Sequence, residues 1–128
     1  LRYLNDYEWK LASRFLFLSL ALRVIKYDLE KLQQLSPFKI NEIYIDLFQQ
    51  VEQYAIKERR KLRQKMQQEK MQVMTLEKNE SFTSYLFICK GKEETRNYFN
   101  PAIRKKVEQI LKELVSQVTG LEKQQKIK

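Results

Sequence analysis

The chain has 128 residues and a net charge of +9, from 25 Lys and Arg against 16 Asp and Glu, and 43% of its residues are hydrophobic. That length supports one core without metal or disulfide staples, while two Gly and two Pro are too few for a multi-stranded sandwich with its frequent turns. Zero His and one Cys remove the commonest general base, the usual zinc ligands and any internal disulfide.

The first predicted helix is the plainest element. Asn5 or Asp6 caps it by accepting backbone N–H bonds. Apolar residues then recur at Leu4, Leu11, Phe15, Leu18, Leu22, Ile25, Leu29 and Leu32. From Leu11 the steps alternate four and three, the seam of a helical bundle or coiled coil. A second stripe runs through Phe17, Leu20, Ala21, Val24 and Tyr27. Two stripes predict a helix covered on most sides, either central to the fold or turned toward a second copy of the chain. Phe17 and Leu18 are therefore the candidate self-association contacts. The longest apolar stretch, Phe15 to Leu22 between Arg14 and Arg23, falls well short of the roughly 20 residues that a membrane-spanning helix needs. No targeting segment stands out, so the cytoplasm is the default expectation.

Ser36-Pro37 ends this helix, because the residue before proline is pushed out of the helical region. Asn41 is the predicted cap of a second helix running to about Lys70. Its core face reads Ile43, Leu47, Val51, Ala55, Leu62 and Met66, and the short connection implies an antiparallel pair. Residues 57–70 hold seven basic residues and two acidic ones, more than half of the net charge. Arg59, Arg60, Arg63 and Lys70 are expected to face outward as a candidate polyanion-binding surface, since Arg and Gln engage phosphates and base edges. Against a nucleic-acid role stand the missing helix–turn–helix pair and the missing aromatic platform. A basic helix face also serves plain solubility.

From Met71 the pattern changes. The run 71–76 alternates, and Phe82 to Cys89 is rich in aromatic and branched residues around a polar turn. This predicts a β-hairpin over about 71–90. The competing reading is a short helix from Phe82, capped by Ser81 and ended by Gly91.

Asn100-Pro101 predicts the start of a third helix, with Asn as cap and proline at the first helical position. It would bury Ile103, Val107, Ile110, Leu111, Leu114 and Val118 and stop near Gly120, leaving 121–128 as a frayed basic tail. Arg96, Tyr98, Phe99 and Arg104 surround this start. They read either as aromatics stapling the helix to the hairpin or as an Arg-flanked patch that grips a protein partner.

Little of this carries chemistry. Glu42 and Asp46 share a helix face, yet both sit in first turns where acids meet the helix dipole favourably. The adjacent pair Glu93-Glu94 is the other carboxylate candidate, and Gly91 is isolated, so there is no phosphate-binding loop. Cys89 lies in an apolar run with Lys90 as its one cationic neighbour, which suits a buried small side chain better than a nucleophile. No catalytic, cofactor-binding or metal residues are assigned.

The expected fold is mostly α: a three-helix, bundle-like domain over 1–120 with a small β-hairpin between helices two and three. The expected role is a non-catalytic protein-interaction or regulatory module that pairs with another protein or with itself as a homodimer. Nucleic-acid binding through 57–70 is the alternative. A membrane-surface role ranks third, because the basic helix lacks a Trp- or Phe-rich opposite face.

Overall fold

The computed structural model describes residues 3–34 and 39–120. Three helices, α1 (Asp6–Gln34), α2 (Lys39–Gln68) and α3 (Asn100–Thr119), pack with a sheet of three strands, β1 (Met71–Lys78), β2 (Phe82–Cys89) and β3 (Lys92–Phe99), which buries one face and leaves the other exposed. The strands form an antiparallel meander in the order β1-β2-β3. The predicted stop at Ser36-Pro37 and the tail 121–128 lie outside the described residues.

α1 is the central helix. Asn5 and Glu8 form a capping box: Glu8 N–H donates to Asn5 Oδ1 at 2.8 Å, and Asn5 N–H donates to Glu8 Oε1 at 2.9 Å. Each satisfies a backbone donor that the first turn leaves open. Leu11, Leu18, Leu22, Ile25 and Leu29 are buried as the alternating steps predict. Phe17, Ala12, Leu16 and Ala21 are buried too, because α2, α3 and the sheet cover different sides of the same helix. Arg59 of α2 donates from Nε to Ser19 Oγ at 2.8 Å, and Cys89 Sγ contacts both Glu8 Oε2 and the Glu69 carbonyl. The end of α2 thus lies beside the start of α1, the antiparallel arrangement expected of the pair.

α2 begins earlier than its predicted cap. Asn41 is the helix's third residue, so it does not cap it. Val51, Ala55 and Met66 are buried, whereas Ile43 is 69% exposed.

The predicted hairpin is the first two strands of a three-stranded sheet, and 82–89 is strand rather than helix. β3 was missed because Lys92-Glu93-Glu94-Thr95-Arg96-Asn97 has no apolar alternation. Its inward positions are Lys92, Glu94, Arg96 and Tyr98, opposite Cys89, Phe87, Tyr85 and Thr83 of β2. Ionic partners hold that inner face. Lys92 Nζ is 2.6 Å from Glu8 Oε1, and Arg96 Nε is 2.5 Å from Glu94 Oε2. Arg96 also lies 4.1 Å over the ring of Trp9, which itself meets Phe87 edge-on.

Lys90 and Gly91 both have positive φ, 50° and 81°. This is the two-residue turn whose twist matches antiparallel strands, and the left-handed conformation explains glycine at the second position. At the other turn, Asn100 departs from its expected role. The N-cap of α3 is Phe99, with no side-chain cap bond. The Asn100 side chain instead donates to the carbonyls of Asn79 and Glu80 and accepts from Thr83 Oγ1, while its N–H donates to the Ser81 carbonyl. The residue that starts α3 therefore clamps the β1–β2 turn. The helix ends as expected at Gly120, in left-handed conformation, with its N–H on the Ser116 carbonyl.

Candidate functional site

Three places hold side-chain arrangements beyond ordinary packing. The first is the ionic knot where α1 begins against β3. Lys92, the Asn5 N–H and Cys89 all bond to Glu8, and they hold its carboxyl down at about 2 against an ordinary 4.5. Burial and the neighbouring Glu8 carboxylate push the Cys89 thiol up. Cys89 is fully buried, and its sulfur serves as a hydrogen-bond donor rather than a nucleophile. The second acid, Glu94, accepts from the Leu4 N–H and Arg96. These carboxylates are occupied in tying α1 to the sheet. Among the described residues no group of three His, Cys, Asp or Glu side chains is placed to hold a metal ion.

The second place is a cleft of about 830 Å³ between α1, the inner face of the sheet and α3. Its apolar surface comes from aliphatic side chains, chiefly Leu20, Val24, Val73, Ile103, Val107 and Leu111. Four cations, Arg23, Arg59, Lys78 and Arg104, share the lining with a single acid, Glu108. Glu108 is turned to Lys112 on its own helix. None of the four cations forms an ion pair among the described residues. Arg59 is the best positioned of them: its guanidinium lies 4.7 Å over the Phe15 ring and is held by Ser19. Desolvation, with Arg63 and Arg23 nearby, lowers its affinity for its own proton. Tyr85 also lines the cleft, and burial raises its hydroxyl above the ordinary tyrosine range.

The third place is the outer face of the sheet. Opposite the inward positions, the strands present Gln72, Met74 and Glu77, then Phe82, Ser84, Leu86 and Ile88, then Glu93, Thr95, Asn97 and Phe99. Met74, Phe82 and Phe99 are exposed, and the rings of Phe82 and Phe99 meet at 5.5 Å. Leu76, at the irregularity in β1, is exposed beside them. Among the described residues this face carries no Lys or Arg.

Against this geometry the expected contact residues separate. Phe17 and Leu18 are 5% and 0% exposed. Phe17 packs on Tyr98 and under Lys106 of the same chain, so neither presents surface to a second copy. The first stripe of α1 packs within the chain, whereas Val24 and Tyr27 at the end of the second stripe are 37% and 60% exposed; the placement of Phe17 and Leu18 as self-association contacts is what the burial corrects. Arg59 points into the cleft and leaves Arg60, Arg63 and Lys70 on the exposed side of α2. Tyr98 faces inward against Phe17 and Tyr85, and Arg96 is fixed between Glu94 and Trp9. Phe99 lies on the opposite face of the sheet, while Arg104 lines the cleft from α3. The four residues around the α3 start thus serve three different environments. The cleft itself was missed, since its lining comes from segments far apart in sequence.

The YhjD protein family matches residues 3–119, the length of the fold described above. The chain belongs to the YhjD family. A YhjD relative, the uncharacterized protein YhjD of Bacillus subtilis (strain 168), is 32% identical over 108 residues, which span 84% of this chain and 89% of the relative. No solved structure matches the chain. No described helix of this YhjD-family chain is long and apolar enough to cross a membrane.

Proposed function

We propose that the chain is a non-catalytic protein-interaction module that pairs with a second copy of itself through the outer face of its sheet. The observation that carries this reading is the composition of that face. A chain of net charge +9 repels its own copies, yet this face offers Met74, Phe82, Leu86, Ile88 and Phe99 with two acids and no cation. Exposed apolar residues grouped in this way mark contact surfaces, and copies meeting here keep their positive charges apart. The regulatory role expected from the sequence fits a module of this kind.

Light scattering on the full chain across a hundredfold range of concentration tests the reading. A dimer is expected, and Phe82→Glu with Phe99→Glu should convert it to a folded monomer. A wild-type chain that stays monomeric throughout overturns it.

A second reading, nucleic-acid binding, draws on Arg60, Lys61, Arg63, Lys65 and Lys70, all exposed on α2 and its end. None of these is ion-paired among the described residues. Duplex DNA binding that falls steeply with salt and is lost in Arg60→Glu/Arg63→Glu supports it. Absence of binding at low salt ends it.

A further inference from the structure

The cleft between α1, the sheet and α3 is not used by either reading, and its chemistry is specific. Cations grouped without carboxylate partners beside apolar surface attract an anion. Arg23, Arg59, Lys78 and Arg104 are grouped in this way around an aliphatic interior. An anion entering the cleft relieves that like-charge crowding. A guanidinium already oriented by Ser19 and Phe15 loses little freedom on gripping a planar or tetrahedral oxyanion. The remainder of the ligand must then match Leu20, Val24, Val73, Ile103, Val107 and Leu111.

The aromatic rings decide between ligand types. A nucleobase or other flat anion needs an open ring to stack on. Arg59 covers the Phe15 ring, and Tyr85 meets Tyr98 edge-on. The free lining is aliphatic, which suits a hydrocarbon tail. A volume of about 830 Å³ falls in the ordinary range for small-ligand sites, roughly 300–1,000 Å³. We infer that the cleft binds an anionic amphiphile, a carboxylate or phosphate head on a saturated hydrocarbon tail, with Arg59 and Arg23 on the head and the α3 aliphatic residues on the tail.

Titration of the full chain with decanoate and with decyl phosphate, both kept below micelle formation, tests this by calorimetry and by amide chemical shifts. Saturable one-to-one binding is expected, with shifts centred on Ser19, Arg59, Tyr85 and Val107. Arg59→Gln should weaken it roughly tenfold, the loss expected for one charge-assisted contact. Arg104→Gln, at an exposed position on α3, should weaken it less and guards against a folding failure in the first variant. Decanol should bind at least roughly tenfold more weakly than decanoate, by the same reasoning. The inference is overturned if decanol matches decanoate, or if inorganic phosphate matches decyl phosphate. It is also overturned if both variants bind like wild type, or if the shifts fall on Met74, Phe82 and Phe99. Vesicles of anionic phospholipid separate the sources of the head group. Binding to vesicles without binding to the monomeric amphiphiles overturns the cleft assignment, whereas monomer binding with or without vesicle binding supports it.

Discussion

Glu8 and Lys92, 84 residues apart in sequence, meet at 2.6 Å between Oε1 and Nζ in a site where Glu8 is almost wholly buried. The same carboxyl closes the capping box with Asn5 and accepts the thiol hydrogen of Cys89. One side chain therefore starts α1 and fastens it to both β2 and β3.

The pH dependence of stability follows from the sign of that shift. Glu8 is held at about 2 in the folded chain against an ordinary 4.5. A depressed carboxyl stabilises fully above its unfolded value, and the contribution is lost as pH falls from about 4.5 to about 2. The loss is on the order of 3 kcal/mol at most. Urea unfolding of wild type and Glu8→Gln checks it: the variant should be weaker at neutral pH, and the gap should narrow steadily below pH ~4.5 as the wild-type carboxyl protonates.

Asn5→Ala removes only the other half of the capping box. The expected cost is about 1 kcal/mol, visible as a lowered urea midpoint with an unchanged slope. An unchanged midpoint would mean that Asn5 Oδ1 does not carry the Glu8 N–H.

Leu18→Glu separates a core role from an interface role. Leu18 is completely buried, so the charge should unfold the chain rather than yield a folded monomer. Leu18→Ala should cost roughly 2–5 kcal/mol, read from denaturant unfolding. A well-folded Leu18→Glu variant would place that side chain on a surface after all.

Gly91→Ala isolates a backbone effect. A Cβ at Gly91 meets no atom within 4 Å, yet φ is +81°. The expected loss is about 1–2 kcal/mol, from conformation alone. Gly91→Asn, which tolerates the left-handed region better, should lose less; equal losses would contradict this account.

Cys89 should resist alkylation in the folded chain. Burial and Glu8 both favour its protonated form, and thiolate is the reactive species. Labelling by iodoacetamide should track global unfolding across a urea series. Rapid labelling in buffer would contradict the burial.

What could be read in the sequence and what could not divides along physical lines. The α1 seam from Leu11 to Leu29 and the α3 face from Val107 to Leu114 were legible, because each stripe meets the core at helical spacing. The pairing of β1 with β2 was legible from Phe82 to Cys89. β3 was hidden because its inward face is satisfied by charges, with Lys92 on Glu8 and Arg96 on Glu94 and Trp9. Periodicity of apolar residues cannot register such a strand. Asn100 looked like a cap because Asn-Pro begins helices well, but its side chain was claimed by Asn79, Glu80 and Thr83. The double stripe on α1 suggested a second copy at Phe17 and Leu18, although the chain itself covers both and leaves only Val24 and Tyr27 of the second stripe exposed. The cleft needed Arg23, Arg59, Lys78 and Arg104 to be brought together from four elements, and spacing along the chain holds no trace of that.

The cation-free sheet face makes the molecule electrically lopsided. The described basic residues lie off that face, so an acidic surface attracts the molecule by its other sides. Adsorbed on a cation-exchange resin, or on any sheet of fixed negative charge, the chain would be oriented with Phe82 and Phe99 toward the liquid. A molecule retained in this way would still offer that face to whatever flows past.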